Sequence, residues 1–201
     1  FWNRLADEFL ARRGFPPLSP ELQEESIALT MEGTANLFIR EYHLPETAEQ
    51  ICSEINGLME GHYRSDVPLK PGAAAFLARM KAAGFKMCIA SSTAPALLDI
   101  CLRRLGVRDC FEFLLSCEEV GEGKNRPTVY LEAVRRLGGT PENTVIFEDI
   151  LVAAQTAKQA GFSLGVIYDI NSDTEQEQLK TLADCWFTRW DDTALFTWLG
   201  I

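Results

Sequence analysis

Several features that mark particular protein classes are missing from this 201-residue sequence. No apolar run approaches the roughly 18 residues that a membrane-spanning helix needs, and no charged-then-apolar signal peptide opens the sequence. The six cysteines form no C-x-x-C pair, which favours reduced core thiols over disulfides or metal ligands. Internal repeats and low-complexity segments are also missing. We therefore expect a cytoplasmic protein that has no membrane partner.

Positive charge is scarce as well. The sequence has 19 Lys and Arg against 29 Asp and Glu, which gives a formal net charge of -10. A surface of this sign disfavours non-specific binding to nucleic acid or to anionic membranes, so we expect a small ligand and no nucleic-acid partner. A phosphorylated ligand remains compatible, because a few lysines and backbone N–H groups can form a local positive pocket. The 47% of hydrophobic residues are ample for a buried core.

Two hydrophobic patterns divide the sequence. From Trp2 to about Tyr63 the apolar residues recur at helical spacing, which predicts an all-helical first third. After the Pro71-Gly72 turn, short apolar runs alternate with helical segments, as in β-α units that build a parallel sheet. The sequence therefore predicts an α/β fold, with a helical domain over residues 1–66 and an α/β domain over residues 67–201.

The second domain has five predicted strands, with helices between them. The predicted strands are Lys86–Ala90, Glu112–Ser116, Thr144–Phe147, Ser163–Tyr168 and Cys185–Phe187. The predicted helices are Phe76–Ala83, Ala94–Leu105, Thr128–Leu137, Val152–Ala160, Glu175–Ala183 and Thr193–Leu199. Ligands of open parallel sheets bind beyond the carboxyl ends of the strands, so polar residues at those ends are site candidates.

The first candidate is the run of three hydroxyl residues Ser91, Ser92 and Thr93, which follows the first predicted strand. A helix is predicted to begin directly after them. Hydroxyls and free N–H groups at a helix N-terminus can bind an anion such as phosphate. The alternative is that one hydroxyl simply caps the helix, with Pro95 in its first turn.

The second candidate is Lys124, in the loop Gly121–Pro127 between a strand and a helix. Two glycines in this loop permit tight backbone turns, and a lysine offers a compact positive charge for a phosphoryl oxygen. The alternative is an ordinary solvated loop lysine.

The third candidate is the adjacent pair Glu148 and Asp149, just beyond an apolar strand. Two neighbouring carboxylates repel each other, and a cation relieves that repulsion. Carboxylate oxygens are ligands that suit Mg²⁺. The alternative is that one acid caps the next helix while the other faces water.

The order and spacing of these elements resemble the haloacid dehalogenase-like superfamily, in its β-phosphoglucomutase-like branch with a small helical cap. The resemblance extends over essentially all 201 residues. The matching segments are Pro71-Gly72, Ile89–Ser92, Gly123–Pro127, Phe147–Asp149 and Ala157–Gly161. Each segment is short, but the ordered set is specific to that branch.

The resemblance implies a Rossmann-like parallel sheet with helices on both faces, and a helical cap. It implies that Ser91 hydrogen-bonds the transferring phosphoryl group, that Ser92 adds a contact, and that Lys124 neutralises phosphoryl charge. It further implies that Asp149 helps to hold Mg²⁺ and that Glu148 holds it directly or through water. The implied activity is an Mg²⁺-dependent phosphatase for a small phosphorylated metabolite, working through an aspartyl-phosphate.

The sequence departs from the family at the nucleophile. The family's nucleophile belongs to an Asp-x-Asp motif on the first strand of the core, and no Asp-x-Asp occurs in this sequence. Asp7 lies within a helical pattern and does not substitute for it. Because Phe1 falls about where the family's cap begins, we expect that strand to precede residue 1 in the native protein. The 201-residue chain as written is accordingly expected to be inactive.

Two alternative functions stay open. A sugar phosphomutase of the same branch requires a base in the cap, which the sequence does not clearly display. The two cap histidines, His43 and His62, are expected to be surface or interface residues rather than ligands or bases, although His62, near the predicted hinge, could reach a substrate. A catalytically silent binding protein is the other alternative, if the chain truly starts at residue 1.

Overall fold

The computed structural model describes residues 2–27, 29 and 31–201. They form two compact units, of which the first ends at Asp66 and the second runs from Val67 to Ile201. Phe1, where the resemblance puts the start of the cap, lies outside the described residues. The roles of the two parts as cap and hydrolase core stay a prediction. No helix in the described ranges combines the length and the apolar character that crossing a membrane requires.

The secondary-structure elements described in the first unit are all helices. They are α1 (Trp2–Ala11), α2 (Pro20–Ile27), α3 (Met31–Tyr42) and α4 (Ala48–Ser65). Helix α4 begins at a capping box, in which the Thr47 hydroxyl accepts from the Gln50 backbone and the Gln50 side chain accepts from the Thr47 backbone. The fully buried rings of Phe9 and Phe38 stack in the core, with centroids 5.6 Å apart. The apolar spacing therefore reflects helices that pack on a common core.

The second unit alternates strands and helices. Its strands are β1 (Ile89–Ser91), β2 (Leu114–Ser116), β3 (Val145–Glu148), β4 (Ser163–Ile167) and β5 (Cys185–Phe187). Its α-helices are α5 (Ala73–Ala82), α6 (Pro95–Arg104), α7 (Cys117–Val120), α8 (Thr128–Leu137), α9 (Leu151–Gln159), α10 (Gln176–Leu182) and α11 (Thr193–Leu199). Short 3-10 turns span Arg108–Cys110, Pro141–Asn143 and Ile170–Glu175. The α/β class is confirmed.

All strand pairings are parallel, as the sequence predicts. Strands β1 and β2 form one pair, in which Ser91 lies opposite Ser116. Strands β3, β4 and β5 form a second sheet in that order. Within the described residues β1 and β3 therefore each have a strand on one side only. The single predicted sheet is thus divided into a two-stranded sheet and a three-stranded sheet.

Helices cover both faces of the three-stranded sheet, because successive side chains of a strand point to opposite faces. Leu164 and Val166 of β4 pack in a core cluster with residues of α8 and α9. Ile167 packs in a second cluster with residues of α5 and α11. The first cluster also contacts Ala90 of β1 and Ile146 of β3, so both sheets contribute to one core.

Candidate functional site

The candidate site residues lie at the carboxyl ends of β1 and β3 and in the loop after α7. Ser91 is the last residue of β1, and Glu148 is the last residue of β3. Lys124 lies in the segment between α7 and α8, and Asp149 follows β3 directly. All four belong to the second unit, so the fold that positions them is the α/β part of the chain.

Ser91 and Ser92, at the end of β1, do not cap the next helix. Ala94 is the N-cap of α6, and no side chain caps that helix. Ser91 Oγ instead accepts a hydrogen bond from the Thr93 backbone N–H at 3.0 Å. Ser92 Oγ donates to Cys117 Sγ at 3.6 Å. Among the described residues Ser91 Oγ only accepts, so its own hydrogen is available to a ligand oxygen.

Glu148 is the most buried of the candidate residues, with a side chain that is 4% exposed. Lys124 Nζ lies 2.5 Å from Glu148 Oε1, and the Tyr130 hydroxyl donates to the same oxygen at 2.7 Å. A buried carboxylate is costly unless it is paired and hydrogen-bonded, and these two donors meet that requirement. Neither donor uses Glu148 Oε2.

Tyr130 is a contributor that the sequence reasoning missed. Its side chain is buried on the inner face of α8, and the pKa of its hydroxyl is raised by burial and by the nearby Glu148 carboxylate. The hydroxyl is therefore a lasting donor at any ordinary pH. A tyrosine within the apolar face of a helix gives no signal of such a role, because it matches the pattern of a core residue.

The loop before α8 accounts for the direction of Lys124. Gly121 ends α7 in the left-handed conformation, with φ 78°, which residues other than glycine rarely adopt. A backbone hydrogen bond from Arg126 N to Gly123 O then tightens the loop around the lysine. Only 22% of the Lys124 side chain is exposed, so it is not the solvated loop lysine of the alternative interpretation.

Asp149 points to a different partner from Glu148. Lys70 Nζ lies 3.3 Å from Asp149 Oδ2 and 2.7 Å from Asp169 Oδ2. The Asp149 side chain is 34% exposed. Asp169 is a polar residue just beyond the end of β4, the kind of position at which the sequence pattern predicts site residues. Lys70 has no such position, because it precedes the Pro71-Gly72 turn and lies far along the chain from both acids.

The structure thus brings the candidates together in part. Lys124 and Glu148 form an ion pair, and Asp149 is adjacent to Glu148 in the chain. In the described part of the protein neither Ser91 nor Ser92 hydrogen-bonds Lys124 or either acid. Their roles toward a phosphoryl group stay predictions.

The donors at the end of β3 determine whether Mg²⁺ fits this site. Two adjacent carboxylates with a partly exposed Asp149 suit Mg²⁺, which is commonly bound by one or two carboxylates, phosphate oxygens and water. Across residues 2–27, 29 and 31–201, no three His, Cys, Asp or Glu side chains are grouped to hold a metal ion. The residues therefore fit Mg²⁺ only as a site that other ligands complete.

Sequence comparisons identify relatives over most of the chain. The family model for haloacid dehalogenase-like hydrolases matches residues 4–161. The bifunctional riboflavin kinase/FMN phosphatase of Arabidopsis thaliana is 23% identical over 82% of this chain and 45% of its own length. The phosphorylated carbohydrates phosphatase of Thermotoga maritima is 33% identical over 50% of this chain and 48% of its own length. The chain thus spans less than half of these relatives.

Solved structures share the fold. A β-phosphoglucomutase-like protein of Thermotoga maritima superposes with a TM-score of 0.82 at 19% identity, covering 100% of this chain and 91% of that one. CbbY of Rhodobacter sphaeroides, solved in complex with phosphate, superposes with a TM-score of 0.73 at 24% identity, covering 95% of this chain and 88% of that one. At these identities the likeness shows the architecture alone.

Proposed function

Since the chain belongs to the haloacid dehalogenase-like hydrolase family, we propose that the protein is a phosphoric monoester hydrolase that acts on a small phosphorylated metabolite. Relatives named as phosphatases support this activity. The contact between Lys124 and the buried Glu148 is the observation that supports it most directly. In this contact the fold holds the lysine in place beside one of the two candidate metal-binding acids.

The proposed roles follow from the chemistry of phosphoryl transfer, which depends mainly on positioning and charge stabilisation. Ser91 donates a hydrogen bond to a phosphoryl oxygen, and Ser92 adds a second contact. Lys124 stabilises the negative charge that spreads over the phosphoryl oxygens in the transition state. Asp149 and Glu148 would hold Mg²⁺, which when bound supplies positive charge to those oxygens.

Glu148 has a second task in this proposal. Its Oε1 accepts from both Lys124 and Tyr130, so it fixes the direction of the lysine side chain. A side chain that is already in place loses little entropy when substrate binds. Glu148 Oε2 accepts from neither donor, so it would remain available as a ligand for Mg²⁺.

We propose that the nucleophile is an aspartate on a further parallel strand that is not among the 201 residues of this sequence. Within the described residues, β1 and β3 each have an edge that no strand pairs, although Ala90 and Ile146 contact one core cluster. A strand between them would satisfy the backbone groups of both edges. An aspartate at its carboxyl end would then form the aspartyl-phosphate.

The helical unit is proposed to act as a cap that selects the substrate. A sugar phosphomutase remains the second candidate, and it would need a free base in that unit. His62 does not meet this need in the structure, because its Nε2 contacts Glu8 Oε2 at 2.7 Å and its Nδ1 contacts Asp66 Oδ1 at 2.8 Å. Engagement of both ring nitrogens therefore favours the phosphatase over the mutase.

We also propose a cytoplasmic location and a catalytically active rather than a silent protein. All six cysteines are free thiols, as proteins of reducing compartments have. A silent binder would have no need for a lysine that is held beside a buried carboxylate.

Turnover of a generic aryl phosphate by the full-length natural protein tests the proposed function. We expect hydrolysis that requires Mg²⁺, is lost with a chelator and is restored by added Mg²⁺. Asp149→Asn should weaken Mg²⁺ binding, as measured by calorimetry, and should lower turnover. Asp184→Asn, which changes another ion-paired aspartate of the same unit, should do neither. Hydrolysis that persists with the chelator, or no hydrolysis of any phosphate monoester, would contradict the proposal.

A further inference from the structure

We propose that Lys70, whose ammonium group lies beside Asp149, is a positioning residue that competes with a divalent cation for that carboxylate and thereby weakens binding of the cation. The inference rests on the proposed function, because it takes Asp149 as a ligand of Mg²⁺.

The backbone around Lys70 is fixed, so its side chain starts from a defined position. Lys70 O accepts from Ala73 N at 3.1 Å, and Pro71 O accepts from Trp190 N at 3.1 Å. Gly72 has φ 83°, and a Cβ at that position would lie 2.6 Å from Asp191 N. The turn is therefore held closely against the segment that follows β5, and only glycine fits at its third residue.

Asp169 anchors the lysine side chain. Its Oδ2 lies 2.7 Å from Lys70 Nζ, while its Oδ1 accepts from the backbone and side-chain nitrogens of Asn171 at 2.9 and 2.7 Å. Burial alone would raise the pKa of Asp169, but the ion pair with Lys70 and the bonds from Asn171 lower it on balance. Asp169 is thus a fixed anion that keeps the ammonium group at the end of β4.

From this anchored position the ammonium group reaches Asp149. Its Nζ is 3.3 Å from Asp149 Oδ2, a longer contact than the one with Asp169. The contact joins the ends of the neighbouring strands β3 and β4 through a cation, which is the task that a bound metal ion performs between carboxylates. Lys70 therefore offsets part of the negative charge of Asp149 as well as that of Asp169.

A divalent cation at Asp149 would meet an ammonium group already beside the carboxylate. Because Lys70 keeps its shorter contact with Asp169, it stays close and repels the incoming cation. Two positive charges a few ångströms apart near a protein surface change an affinity by about tenfold, after screening by solvent. Removing the lysine charge should therefore tighten metal binding, although it removes a favourable contact from the metal-free state.

Calorimetric titration of the full-length natural protein with Mg²⁺ tests the proposal. In Lys70→Met we expect affinity about tenfold higher than in wild type, and Lys70→Arg should restore wild-type affinity because it keeps the charge. Lys158→Met is the matched control. Lys158 forms a similarly exposed ion pair with Asp184 elsewhere in the same unit, so its loss should leave Mg²⁺ affinity unchanged.

Thermal unfolding supplies a readout that does not depend on activity. Lys70→Met should unfold at a lower temperature than wild type without metal, and Mg²⁺ should raise its midpoint by more than it raises that of wild type. If Lys70→Met does not fold, Lys70→Gln, which keeps a polar end, takes its place in both measurements.

The outcomes separate this inference from the function on which it rests. Unchanged or weaker Mg²⁺ affinity in Lys70→Met, or the same change in Lys158→Met, would overturn the role of Lys70. If Asp149→Asn nevertheless weakens Mg²⁺ binding, the proposed function stands without this inference. If Asp149→Asn binds Mg²⁺ as wild type does, the metal assignment fails and the inference fails with it.

Discussion

Tyr130 and Lys124 donate to the same oxygen of Glu148, although they lie on a helix and on the loop that precedes it. The two donor distances to Oε1 are 2.7 and 2.5 Å. Residues of three chain segments, the loop, α8 and the end of β3, are thereby joined at one buried carboxylate. The arrangement links the stability of the α/β unit to the position of its candidate catalytic lysine.

We expect Tyr130→Phe to destabilise the protein by about 1–3 kcal/mol, because a buried acceptor loses one of its donors. The change keeps the ring and its packing, so the fold should persist. Tyr168→Phe is the matched control, since its hydroxyl donates to Asp173 at an exposed position and its loss should stay within about 0.5 kcal/mol. Denaturant unfolding measures both, and equal effects would show that the Glu148 contact contributes nothing special.

Replacing a loop lysine usually changes stability by less than about 0.5 kcal/mol, but Lys124 is paired with a buried acid. We expect Lys124→Met to cost about 1–3 kcal/mol, because Glu148 then keeps a buried charge with fewer partners. Adding Glu148→Gln removes that charge and should recover part of the loss. A double-mutant cycle from unfolding curves measures the coupling. Strictly additive effects would mean that the two side chains do not interact.

Gly165 of β4 packs closely against Phe147 of the neighbouring strand β3. A Cβ at Gly165 would lie 2.5 Å from two atoms of the Phe147 ring, which is itself held edge-on against Trp190 and Phe187. Gly165→Ala should therefore cost about 1–3 kcal/mol through overpacking. Gly57→Ala is the control, because its Cβ would meet nothing within 4 Å in helix α4, and it should stabilise by about 0.5–1 kcal/mol. Similar effects at both sites would contradict the packing account.

The sequence predicted those features that depend on local pattern. The bounds of α8, α11 and β5 match their predictions, because a strong periodicity and clear turn residues define their ends. The predicted start of β1 at Lys86 was wrong, because β1 pairs with β2 only from Ile89. Its neighbour in the sheet sets that limit, and an apolar run does not reveal it.

The site was predictable in its residue types but not in its contacts. Lys124 and Glu148 were both candidates, yet their pairing joins residues that are 24 positions apart. Lys70 and Asp149 are 79 positions apart, and the turn that presents Lys70 is held by a backbone contact from Trp190. Such contacts depend on how the strands are arranged, so local sequence carries no sign of them.

His62 gives the helical unit a dependence on pH. Hydrogen bonds to Glu8 and then to Asp66 raise the pKa of His62, and the same bonds lower the pKa values of both acids. The charged histidine thus stabilises the folded state below its unfolded pKa of about 6.5, and this contribution is lost as the pH rises through the raised folded pKa. As the pH falls through the lowered pKa values of the acids, their contribution is lost too.

We therefore expect wild type and His62→Gln to differ most in stability between about pH 5 and pH 6.5 and to converge above that range. Unfolding free energies measured from about pH 4 to about pH 9, roughly two and a half units on each side of the unfolded histidine pKa, test this. Glu8→Gln should lose stability over the same pH range, on top of a loss at every pH from its ion pair with Arg12. A difference that stays constant or grows toward high pH would exclude the ion-paired histidine.

The turnover of Lys124→Ala measures the central claim most directly, because the account assigns this lysine to the phosphoryl group and not only to Glu148. With an aryl phosphate and saturating Mg²⁺, at a temperature where both proteins are folded, the account predicts a loss of about a hundredfold or more in the full-length natural protein, the scale of one preorganised electrostatic donor. Lys158→Ala, which breaks an ion pair away from the candidate residues, should keep wild-type turnover. Wild-type turnover in Lys124→Ala, or a loss only in proportion to the unfolded fraction, would contradict the account.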